Sequence, residues 1–288
     1  MPKITSINNF LSQTVYHDGN KYCINIVDLS PQKQRGQTCK LYALSTAINA
    51  MSIKLQLPKP LNVRGHSSGE SSIRKIAKER YGSVVGEVYS PVTLRFLAKD
   101  LGYSKTSIYS PRTFDDYNHT IITSLSILET PIVFFDVCNQ GEPIQANGER
   151  EHAVVICGYF YNLQKELCYL FTQWGEFYWA NSIDIFRSSI QLQEHRTPES
   201  FYKFSGEWVD HTMLQSLPKA MIEKGFEDYR KARATHPIEG SCRNKILVVH
   251  NPFIKENRNS FWNSYRKETN EEFGKMFAHD VKRYTQNT

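Results

Sequence analysis

Between Thr38 and about Leu55, apolar residues recur at three- and four-residue steps (Leu41, Leu44, Ala47, Ile48, Met51), and this period predicts an amphipathic helix. Thr38 suits its N-cap, because its hydroxyl can satisfy an early backbone N–H. Pro58 and Pro60 end the helix, and 65–69 reads as a polar loop. A second helix is predicted over 71–80 and a third over 91–101, with Pro91 fitted to a first turn. Tyr117, Ile121, Leu125 and Leu128 mark a fourth over 114–129, stopped before Pro131.

At Pro131 the period changes. Residues 131–137 form a compact β-branched and aromatic run, which predicts a buried strand. A turn-rich loop (Asn139, Gly141, Pro143, Asn147, Gly148) leads into the apolar run 152–159. Residues 162–166 then read as a hairpin turn into a strand over 167–173. Trp174 and Gly175 break that strand, and 177–180 begins another. A short strand pattern over 22–27 precedes all of this within a lead-in over residues 1–30. Helices followed by antiparallel strands indicate the α+β class, not alternating βα units.

From about Pro198 the character shifts. Residues 198–234 and 256–284 are charged, with Tyr and Phe spaced among Lys, Arg and Glu, and they read as mostly helical. Residues 245–250 read as one more strand between them. The expected division is a catalytic domain over 1–195 and a mostly helical C-terminal extension over 196–288, with no internal repeat.

Composition narrows the class. A 288-residue chain that is 40% hydrophobic and 12% aromatic can build a substantial core. The net charge of +6 comes from interspersed residues and forms no basic block with interleaved aromatics, so nucleic-acid binding is not expected. No run approaches the ~18 apolar residues that read as a membrane span. Six cysteines without a CxxC pair, and no apolar leader after Met1, lead us to expect a cytoplasmic chain with reduced thiols, no disulfide framework and no zinc ribbon.

The candidate chemistry centres on Cys39. A turn containing Gly36 delivers this cysteine to a helix start, where unpaired N–H groups and the helix dipole favour a thiolate. His152 opens a strand, and its ring can project from the sheet edge as the partner base in a thiolate–imidazolium pair. Gln34 can supply a side-chain N–H to an oxyanion alongside the Cys39 backbone N–H; Gln32 and Gln37 are neighbouring rivals. Thr172 and Gln173, at the end of the adjacent strand, are the candidates for orienting the imidazole. Gln173 is preferred because a carboxamide oxygen is the better acceptor. Cys157 and Cys168, inside apolar runs, read as packing residues. Asp136 ends a strand near the site and reads equally well as an exposed turn carboxylate.

The run Gln34-x-Gly36-x-Thr38-Cys39-x-x-Tyr42-Ala43-Leu44, the run His152-Ala153-Val154-Val155-Ile156-x-Gly158-Tyr159 and the later Trp174-Gly175 resemble a papain-like (clan CA) cysteine peptidase, nearest its C39-like branch. The resemblance spans roughly residues 20–190. It implies a helical lobe bearing the cysteine, an antiparallel β lobe bearing the histidine, and amide-bond hydrolysis through a thioester without metal or cofactor. Two positions depart from the family pattern: Lys40 stands where glycine usually follows the nucleophile, and Thr172 or Gln173 where Asn or Asp usually orients the base.

The resulting expectation is a cysteine hydrolase acting on a peptide or isopeptide bond of a protein or peptide substrate. An acyltransferase of transglutaminase type would use the same pair with an amine in place of water. A papain-like scaffold that has lost catalysis would instead bind a partner. The mildly basic, reduced chain with a charged tail would suit a bacterial effector delivered into a host cell without a cleaved signal peptide, with a host protein as partner.

Overall fold

The computed structural model describes residues 4, 10, 13–16, 23–24, 33–34, 38–55, 73–83, 86–193, 199–204, 207–209, 226–232 and 241–250. The run from Thr38 forms helix α1 (Cys39–Leu55), followed by α2 (Ile73–Tyr81), α3 (Pro91–Asp100) and α4 (Phe114–Ser126). The Thr38 carbonyl accepts from the Tyr42 N–H at 3.0 Å, so Thr38 is the residue at which the helix begins. Pro91 occupies the first turn of α3, behind a Ser90 cap that accepts from the Val92 N–H. Pro58, Pro60 and the 65–69 loop lie outside the described residues.

The strands are β1 (Cys23–Ile24), β2 (Thr106–Tyr109), β3 (Thr130–Val137), β4 (Pro143–Ile144), β5 (Glu151–Tyr161), β6 (Leu167–Gln173) and β7 (Glu176–Asn181). After them come helix α5 (Ser182–Ile190) and strands β8 (Glu199–Phe204), β9 (Glu207–Val209), β10 (Phe226–Ala232) and β11 (Ile246–Val249). The main sheet has eight antiparallel strands in the order β2-β11-β3-β5-β6-β7, with β1 on β5 and β4 on β3. The α+β class follows.

Two hydrophobic layers flank this sheet. Leu41, Leu44 and Ile48 of α1, with Leu94 and Leu97 of α3, pack on Ile132, Phe134 and Val155. On the opposite face, Tyr117, Ile121 and Leu125 of α4 and Ile185 of α5 pack on Val133, Phe135, Val154 and Ile156. The helices before Pro131 are therefore split between the two faces of one sheet.

Alternation along β5 places odd residues toward α1 until Cys157, where the β5–β6 register shifts between Ile156 and Gly158. After this bulge Phe160 belongs to the α1 layer and Tyr159 packs against the other.

The C-terminal reading needs correction. Where described, residues 198–234 form strands, not helices: β8, β9 and β10 make a three-stranded sheet in the order β10-β8-β9. Short aromatic runs such as Phe201-Tyr202-Lys203-Phe204 satisfy both periods over a few residues, and their β propensity prevails here. The expected strand over 245–250 is present as β11, but it lies inside the main sheet between β2 and β3. Of residues 196–288, Ile246–Val249 are thus a strand of the main sheet. Residues 256–284 lie outside the described ones.

Candidate active site

Four side chains singled out in the sequence, Gln34, Cys39, His152 and Gln173, line one small, open cleft. The α1 wall consists of Cys39 and the residues three, four and seven positions after it, Tyr42, Ala43 and Thr46, on one helix face. The opposite wall is His152 and Ala153 of β5 together with Thr172, Gln173, Trp174 and Gly175. Sequence periodicity marks Tyr42, Ala43 and Thr46 as sharing the Cys39 face, although it does not distinguish a cleft wall from core.

Cys39 is half-buried at the first position of α1. Gln34 is half-buried on the rim of the cleft, while the Gly36 turn and Gln37 are outside the described residues. Among the described residues no hydrogen bond joins Cys39 Sγ to the His152 ring; the two groups face a common space. In free enzymes such bonds are often long and tighten only with substrate bound.

His152 is the second residue of β5, paired with Phe135 across the ladder and buried at 5% exposure. Burial, with the nearby Lys40 cation adding to it, pushes its pKa from 6.5 down to about 3. This shift disfavours the expected imidazolium in the free site and favours the neutral imidazole.

Gln173 is buried, and its Nε2 donates to the Gly141 carbonyl at 3.4 Å. That bond leaves Oε1 without a hydrogen-bond partner among the described residues. A buried acceptor without a donor is costly, so one facing a cleft is well suited to a ligand or side-chain N–H. Thr172 lines the same cleft one residue earlier.

Gly141 explains why Gln173 is held as it is. Its φ is +83°, and a Cβ there would lie 2.1 Å from Gln173 Nε2 and 3.1 Å from a Trp174 ring carbon. Only glycine permits this approach.

The β6–β7 turn is tighter than its sequence suggests. Gln173 pairs with Glu176, leaving Trp174 and Gly175 as a two-residue loop with φ of 52° and 90°. Positive φ at both central residues fits a type I′ hairpin turn, in which a bulky residue is an outlier. The turn places the Trp174 ring 5.7 Å from that of His152. Strained residues of this kind gather at functional sites.

Asp136 is fully buried, not an exposed turn carboxylate. It accepts from the backbone N–H groups of Gly148 (2.7 Å), Arg150 (3.0 Å) and Ala146 (3.2 Å) and from Gln191 Nε2 (2.8 Å). It thereby fixes the loop that delivers Glu151 and His152 to the sheet. Cys157 and Cys168 are buried in their strands, and burial raises the Cys168 thiol to about 12, so it is inert.

Sequence reasoning left one contact unexplained. Lys40, next to Cys39, forms an ion pair with Glu151, next to His152, and each side chain is 4% exposed. The Lys40 ammonium also lies 6.0 Å from the centre of the Tyr89 ring.

Among the described residues, no group of His, Cys, Asp and Glu side chains could hold a metal ion, and no helix is long and apolar enough to cross a membrane. No curated protein matches the chain. Residues 29–160 match the family model described as actin maturation protease-like, C-terminal domain, a protease-related family. The matched segment contains Gln34, Cys39 and His152 and ends before Gln173.

Proposed function

We propose that the chain is a cysteine peptidase of papain-like, C39-like type, with Cys39 as nucleophile and His152 as its base. The observation that carries this reading is the convergence of Gln34, Cys39, His152 and Gln173 on one cleft from three separate stretches of chain. The protease-like family match over 29–160 supports it.

Cys39 Sγ would attack the scissile carbonyl carbon as the thiol proton passes to the neutral His152 imidazole. The thiolate forming beside the ring supplies the negative charge that makes the imidazolium tolerable in a buried site. Gln34 and the Cys39 N–H would hold the oxyanion, and Gln173 Oε1 would accept from the ring to fix its tautomer. Collapse breaks the C–N bond; the leaving amine takes the proton from His152, and a thioester remains. Water, deprotonated by His152, then releases the acid and regenerates the thiol. The substrate would be a protein or peptide, and actin is the first to try, since the matched family is described by actin maturation. We place this activity in the cytoplasm, with delivery into a host cell and a host-protein partner as part of the same proposal.

A second reading is a binding scaffold without turnover. It is favoured by the missing Cys39–His152 hydrogen bond and by the low basicity of His152. Alkylation with iodoacetamide at pH 6 separates the two. A peptidase should label Cys39 stoichiometrically and faster than its other thiols, whereas uniformly slow labelling would leave only the scaffold. Digestion of a peptide library with and without added amine then distinguishes hydrolysis from acyl transfer.

A further inference from the structure

We propose that Lys40 and Glu151 are a positioning pair that holds the Cys39 end of α1 in register with the His152 end of β5. The inference rests on the reading of Cys39 and His152 as the reacting pair.

The two ion-pair partners are the chain neighbours of the two reacting residues, one on each side. Lys40 occupies an unfavourable position twice over. It lies in the first turn of α1, where the helix dipole opposes a cation, and its side chain is buried. Glu151 offsets both penalties, and its own charge is favoured near a helix N-terminus. Buried ion pairs seldom stabilise a fold more than apolar side chains of the same size would. What this pair offers is a fixed polar link between two segments whose reacting atoms make no hydrogen bond to each other among the described residues.

One member of the pair, Lys40, also bears on the charge state of His152, after burial. Titratable or charged groups near the ring are Cys39 and Lys40 from α1 and Glu151 on its own strand. Asp136 lies across the ladder from Glu151, and Glu176 is opposite Gln173 on the hairpin. Of these, Lys40 acts against the imidazolium.

The test uses the full chain carrying Lys40→Met together with Glu151→Met, and separately Lys40→Arg. Each is read by its melting temperature and by the iodoacetamide alkylation rate of Cys39 across about pH 5 to 9, resolved from the other thiols by peptide mapping. A positioning pair predicts a double variant that melts within a few degrees of the parent yet alkylates Cys39 about tenfold more slowly at neutral pH. Lys40→Arg, which keeps the cation and so the link to Glu151, should hold the parent's rate and melting temperature. Parent-like rates in the double variant overturn the proposal. A double variant that no longer folds also overturns it, because the pair would then serve the fold. A parent protein whose Cys39 reacts no faster than its other thiols overturns the peptidase reading instead.

Discussion

On one wall of the cleft, Cys39, Tyr42, Ala43 and Thr46 come from two turns of a single helix. On the other, His152 and Ala153 come from β5, and Thr172 to Gly175 come from the end of β6 and its turn. The helical wall is fixed by hydrogen bonds between near neighbours, so its geometry exists once α1 forms. The strand wall depends on the β5–β6 register, on a turn with two positive φ values and on the close approach of Gly141. Substitutions on the first wall should therefore change chemistry and spare the fold, while those on the second should move both.

The largest effect is expected from Cys39→Ala. Turnover of a cleaved peptide should fall by more than about 10⁴-fold with the melting temperature nearly unchanged. Retained turnover would mean that the helical wall does not carry the nucleophile.

On the strand wall, His152→Gln should remove nearly as much activity and also alter the pH dependence of stability. The His152 pKa is depressed from 6.5 in the unfolded chain to about 3 in the fold, so the unfolded chain binds the proton first. Its contribution is complete above the unfolded value and is lost as pH falls toward the folded one. Denaturant titrations should show the parent losing up to roughly 1.4 kcal/mol per pH unit between about pH 6 and 4, and the variant losing measurably less. Equal slopes would assign the loss to other groups.

Gly141→Ala should cost activity and stability together, because the new methyl collides with Gln173 and the backbone sits at φ +83°. A destabilisation of about 1–3 kcal/mol and an activity loss of about tenfold or more are expected. An active, stable variant would remove Gln173 from the site.

The smallest effect belongs to Trp174→Asn. Asparagine before Gly175 suits the turn better, so the melting temperature should hold or rise slightly while activity falls severalfold with the loss of the ring beside His152. A drop in stability without loss of activity would invert the assignment of this turn.

The difference between the walls also explains what the sequence made legible. Helical period and a cap identify α1 and the residues sharing the Cys39 face, because both signals lie within a few neighbours. Strand β5 and the ends of β6 were equally visible as apolar runs bounded by turn residues. The partnership of Lys40 with Glu151 spans more than a hundred positions and has no local signature. Neither does the demand that Gly141 makes room for Gln173. Helix α5 has no apolar period in the sequence, because buried Ser182, Ser188 and Ser189 take positions where apolar residues would mark one. Strand β11 was visible as a strand, yet its place between β2 and β3 could be found only from pairing.

The bulge at Cys157 gives β5 one residue of slack. Ala153 to Ile156 and Gly158 to Tyr161 keep their own ladder partners and their own faces on either side of it. The two ends of the strand are thus tuned separately, and a change in chain length at this point would be absorbed before it reached His152. A gain or loss of one residue anywhere else between His152 and Ile156 would turn the rest of that stretch over.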